Sequence, residues 1–145
     1  NMATYVLGMN AGLYQGAAGS TTPSSMSEVD NVRDVTLSME AGEADITTRG
    51  NSGWRATAPT LRECTVEFQM VWKPGDTVFE AIKTAFLTAG NVALAVLDQK
   101  VGITGAQGPL GDFSITNFSR NEALEEAIVA DVTAKLAVFV EWHEV

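Results

Sequence analysis

The chain has 145 residues, with 9 basic and 18 acidic side chains, one His and one Cys, and a formal net charge of -9. That length predicts one domain, residues 2–145, and 46% apolar residues are enough to fill its core. A single Cys excludes an internal disulfide, no Cys/His set offers a zinc site, and the acidic balance opposes wrapping nucleic acid by counterion release.

Met2 reads as the native start, with Asn1 a leftover of an expression tag. No charged region followed by an apolar block marks a secretory signal there. Met2 to Met9 is a short apolar stretch and predicts a first strand. Asn10 to Ser27 is rich in Gly, Ala, Ser and Thr, so residues 10–28 are expected to form a long, mobile loop. Val35, Leu37 and Met39 then alternate with Asp34, Thr36, Ser38 and Glu40, as in a half-buried strand. Residues 41–60 are polar again, with Gly42, Gly50, Gly53 and Pro59, and predict a second long loop.

Leu61 to Trp72 carries the clearest strand signal. Cys64, Val66, Phe68, Met70 and Trp72 share one face, and Glu63, Thr65, Glu67 and Gln69 the other. After Pro74-Gly75 the period changes. Val78, Phe79, Ile82, Ala85, Phe86 and Ala89 recur at helical spacing, predicting one helix over about 76–89. Thr77 with Glu80 forms a capping box, Asp76 is the alternative cap, and Gly90 is the expected stop.

Val92 to Leu97 is the longest apolar run. At six residues it is far short of the roughly 18 of a membrane span. It predicts a strand covered on both faces. Gly102 to Gly111 reads as a loop, and Phe113 and Ile115 as another strand. Asn121 to Ala127 prefers helix in isolation. From Val129, alternation places Ala130, Val132, Ala134, Leu136, Val138, Val140 and Trp142 on one face, and Asp131, Thr133, Lys135 and Glu141 on the other. The sum is a mainly β chain: an antiparallel β-sandwich or barrel of six or seven strands, with one flanking α-helix and long loops.

No constellation carries chemistry. His143, two residues from the end, reads as an exposed terminal side chain. Cys64 lies on an apolar face without a basic neighbour and reads as an inert thiol. Glu63, Glu67, Glu125 and Glu126 read as solvated carboxylates, not a converging acid/base pair. Calcium-loop and nucleotide fingerprints are missing. The reading is therefore no enzyme, no cofactor and no metal, with the work done by surfaces. A carbohydrate-binding module would use Trp54, Trp72 or Trp142 as a stacking platform, but Trp72 and Trp142 read as core.

The stretch from Val32-Arg33-Asp34-Val35-Thr36-Leu37-Ser38-Met39-Glu40, through Ala44-Asp45-Ile46-Thr47-Thr48-Arg49 and Gly53-Trp54, to the alternating strand Leu61–Trp72 resembles the tail tube (major tail) proteins of long-tailed bacteriophages. Their fold is shared with type VI secretion tubes. The resemblance covers most of the chain from Val29. It implies a structural virion protein of the phage tail, forming hexameric rings that stack into a DNA conduit, assembled in the host cytoplasm with other tail proteins and no membrane. It implies that Asp45, Ile46, Thr47, Thr48, Arg49 and Trp54 form an inter-ring stacking loop. It also makes Asn121 to Ala127 a strand or a connection, against the local helix preference. A secretion or injection tube is the related alternative. A DNA passage should repel phosphate, so Glu63, Thr65, Glu67 and Gln69, with Asp131 and Thr133, are the candidate lumen face. DNA would then be passing cargo, not a bound ligand.

Overall fold

The computed structural model describes residues 5–145. Its strands are β1 (Gly12–Ala17), β2 (Ser27–Glu28), β3 (Val32–Asp45), β4 (Thr57–Val71), β5 (Asn91–Leu97), β6 (Gln107–Asn121) and β7 (Val129–Glu144). They form one antiparallel sheet in the order β2-β1-β5-β6-β7-β4-β3. The mainly β antiparallel class with one flanking helix is as expected, and the sheet does not close into a barrel.

The curl of this sheet follows from its connectivity. β2 and β3 are its two opposite edges, yet only residues 29–31 separate them in sequence. A link that short spans at most roughly 14 Å. The two edges must therefore approach, and the sheet wraps around its own inner face. Cys64, Val66, Phe68 and Met70 of β4 thereby join Val92 and Leu94 of β5, Phe113 of β6 and Val132 of β7 in one core.

The helix α1 (Thr77–Thr88) packs on β5 and β6 and adds Val78, Phe79, Ile82 and Ala85 to that core. Asp76 is the cap used. Its carboxylate accepts the Phe79 N–H at 3.2 Å, while Glu80 reaches back to the Gly75 N–H at 3.1 Å. At the other end Ala89, not Gly90, takes the left-handed turn at φ 56°.

β5 is buried along its whole apolar run. Its second face meets a smaller cluster of Tyr14, Ala95, Leu97 and Leu110, covered by Met26 and Val101 from two connections. The Tyr14 hydroxyl accepts the Val101 N–H at 3.0 Å and holds that cover in place.

Four expectations change. Residues 10–28 are not one loop: Gly12–Ala17 is β1, an interior strand between β2 and β5. Its glycines hid a strand whose Leu13 and Tyr14 are buried and whose backbone pairs along β5. The predicted first strand at Met2–Met9 begins outside the described residues, and its last two residues fall in a single 3-10 turn, Gly8–Asn10. Residues 41–60 lose most of their loop to β3 and β4, leaving 46–56. Gly102–Gly111 is loop only as far as Ala106. Gly108 serves close strand packing: a Cβ there would lie 1.6 Å from the Val96 carbonyl oxygen. Residues 122–127 form a connection, as the resemblance implied against the local helix preference.

Candidate functional site

The candidate lumen residues do lie together. Glu63, Thr65, Glu67 and Gln69 alternate with buried Cys64, Val66, Phe68 and Met70 along β4. The register carries the same face across the sheet. Gln69 pairs with Asp131, Glu67 with Thr133 and Thr65 with Lys135 on β7. Thr36, Ser38 and Glu40 of β3 continue it on one side, and Asn117 and Ser119 of β6 on the other. Gln69 Nε2 donates to Asp131 Oδ1 at 3.1 Å, tying two strands on the polar surface. Glu40 stands opposite Glu63, a like-charge pair that costs stability across a ladder. The polar face thus spans four strands.

The six expected stacking residues gather at the tip joining β3 and β4. Asp45 closes the tip by accepting the Thr47 N–H at 2.9 Å. Hydrogen bonds from the Thr47 hydroxyl and then its amide lower the Asp45 pKa. The Thr47 hydroxyl also accepts the Ala56 N–H at 2.9 Å, and the Asn51 amide donates to the Trp54 carbonyl at 2.9 Å. The N–H groups of Ile46, Asn51 and Trp54 also bond within the loop, which braces its shape. Its side chains are left to the outside, with Ile46 exposed and Trp54 76% exposed.

Below that tip the sheet forks. β4 pairs with β7 only over Thr65–Val71, so Thr57–Cys64 has β3 as its single neighbour. β7 continues beyond Lys135 along β6. The result is a two-stranded arm, β3 beyond Met39 with β4 before Cys64, whose residues are mostly exposed on both faces. Met39 is exposed on it, and Leu61 is 85% exposed. Pro59 was the available signal for this arm. Proline lacks an N–H and belongs on an edge strand.

Two aromatic and terminal readings need correction. Trp142 is not core. It is 45% exposed, and its indole N–H donates to Gln107 Oε1 at 3.1 Å. The C-terminus does not hang free: Val145 N–H bonds the Ala106 carbonyl and Gly105 N–H bonds Val145, both at 2.8 Å. His143 is accordingly a half-buried ladder residue opposite Gly108, with its Nδ1 3.5 Å from Glu141. Trp72 packs as expected, edge-on to Phe79 at 4.8 Å. The three Trp side chains sit in three separate places, the arm tip, the helix-covered core and the end of β7, and make no shared platform. Burial raises the Cys64 pKa, which keeps the thiol protonated and inert. Among the described residues no group of His, Cys, Asp or Glu could hold a metal, and no helix is long and apolar enough to cross a membrane.

Between the near ends of the sheet lies a cleft of about 830 Å³, which the sequence did not reveal. Leu13, Val96 and Leu97 line it from β1 and β5, Val35 and Leu37 from β3, and Trp142 from β7.

No family model and no curated protein matches this chain. Solved structures do. The tail of an empty gene transfer agent (GTA) particle, refined helically with C6 symmetry, aligns over 96% of this chain and 98% of its own at 18% identity and TM-score 0.73. The virion of a native gene transfer agent particle aligns over 93% and 98% at 17% identity and TM-score 0.67. The SPP1 tail tube aligns over 97% and 81% at 16% identity and TM-score 0.73. At these identities the likeness is one of fold, and that fold is the one found in tail and tail-tube structures.

Proposed function

We propose that this chain is a non-catalytic structural subunit of a phage-type virion tail, self-assembling into stacked hexameric rings that form a conduit for DNA. The observation that carries the reading is the forked sheet. An isolated two-stranded hairpin is marginally stable in water, so an arm exposed on both faces is best explained by a partner that covers it. Alignment over nearly the whole chain with tail structures supports a second copy as that partner, and the C6 symmetry of one of them supports six copies per ring. The stacking contacts would come from Asp45, Ile46, Thr47, Thr48, Arg49 and Trp54 at the arm tip.

Glu63, Thr65, Glu67, Gln69, Asp131 and Thr133 would face the lumen. Three of the six are carboxylates and the rest are neutral, and that polar surface supports passage of DNA without retention, because phosphate is repelled. Assembly would take place in the host cytoplasm with other tail proteins, and the subunit would need no cofactor.

Electron microscopy of the concentrated protein tests the reading. Rings or tubes are the expected result, and a strictly monomeric protein overturns it. Trp54→Ala should keep the fold and lose polymerisation. For the lumen, Glu67→Cys and Asp131→Cys chains assembled into tubes should resist a bulky maleimide that labels the free subunit. Equal labelling in both states would reassign this face to the outside.

A further inference from the structure

We propose that the tip of the β3–β4 arm of one copy seats in the cleft of the next copy, with Trp54 and Ile46 on its apolar floor and Arg49 and Arg55 on its acidic rim. This rests on the self-assembly reading above and names the receptor that the arm requires.

The two surfaces are complementary in charge. Residues 46–56 carry Arg49 and Arg55 and no carboxylate. Both arginines are exposed, and neither has an ion-pair partner among the described residues. The cleft rim carries Glu28, Asp30, Asp34 and Asp98 against one cation, Lys100, which is already bonded to Glu28. Asp98 is engaged by the Gln107 N–H at 3.0 Å. Asp30 and Asp34 are exposed and have no ion-pair partner among the described residues.

They are also complementary in shape and polarity. A recess of about 830 Å³ with an apolar floor is large enough for several side chains. Trp and Arg are the residue types that most often anchor such contacts. The N–H groups of Ile46, Thr47, Asn51, Trp54 and Ala56 are already bonded within the tip, so these need no partner in the cleft.

The geometry requires two molecules. Val35 and Leu37 on the cleft wall and Asp45 at the tip belong to one continuous strand. From Val35 to the tip that strand extends roughly 30–35 Å. It cannot fold back, so tip and cleft of the same copy do not meet. A tip-to-cleft contact is heterologous and repeats from copy to copy, which is how an open stack grows.

The test uses the full chain with charge changes on either side. Arg49→Glu with Arg55→Glu, and separately Asp30→Lys with Asp34→Asn, should each raise the concentration needed for polymerisation by ~10-fold or more. Asn is chosen at Asp34 because that residue is left-handed at φ 47° and Asn tolerates this. Combining all four changes should recover part of the loss. In parallel, a Ser52→Cys chain mixed with an Asp30→Cys chain should form a disulfide between copies on oxidation.

Tubes that form normally from both charge variants, with no cross-link, overturn the proposal and leave the tube reading standing. Cross-linking without rings or tubes upholds the tip-to-cleft contact and removes the tube reading. The exposed segment Tyr5–Met9 borders the cleft and is the rival occupant. If removing residues 2–7 abolishes assembly while the charge changes do nothing, the cleft belongs to that segment and the proposal falls.

Discussion

The two halves of β4 are the same strand in two environments. Thr65–Val71 lies between β3 and β7, with one face in the core and the other on the polar sheet surface. Thr57–Cys64 has one neighbour, and its residues before Cys64 are mostly exposed on both faces. The first half therefore builds the fold and the second half presents a surface. A single strand can serve both ends because its period of two does not depend on what covers it.

The contrast is sharpest under truncation. Met70→Ala in the inner half removes a side chain that is 0% exposed, and should cost about 2–5 kcal/mol in urea unfolding. Gly108→Ala should follow, at about 1–3 kcal/mol, because the new methyl group meets the Val96 backbone and β6 must shift away from β5. Losing the helix cap through Asp76→Ala should cost about 1 kcal/mol by the same assay. Leu61→Ala, on the arm, should change stability by no more than about 0.5 kcal/mol yet weaken polymerisation in sedimentation. Equal unfolding costs for Met70→Ala and Leu61→Ala would erase the distinction between the halves.

The smallest expected effect is at the arm tip. Hydrogen bonds from Thr47 lower the Asp45 pKa in the folded chain, so their contribution is present above the ordinary carboxylate range. It is lost as the pH falls through the lowered value. Trp54 fluorescence should report that loosening at acid pH, while Asp45→Asn should show no such transition in that range.

Particular residues explain how much was legible beforehand. The inner half of β4 was legible because Cys64, Val66, Phe68 and Met70 alternate with Glu63, Thr65, Glu67 and Gln69. The helix was legible because Val78, Phe79, Ile82 and Ala85 recur at helical spacing and Asp76 precedes them. β1 was hidden because Gly12 and Gly16 give no hydrophobic pattern, and its order comes from pairing with β5. Trp142 looked like core because it continues an alternation that begins in the core, but β7 outruns the part of the sheet that is covered. Alternation says which face a residue shares, and only the neighbours decide whether that face is buried.

By itself the sequence determined the class of the molecule: an acidic, mainly β chain with a helix after Pro74-Gly75 and a polar strand face distinct from its core. Local pattern is enough for this, since period and capping act within a few residues. The tertiary structure alone decided where β4 leaves the sheet, how residues 29–31 draw its two edges together, and that a cleft with an acidic rim results. Those features depend on which distant strands pair and where pairing stops, and no short window of sequence contains that information.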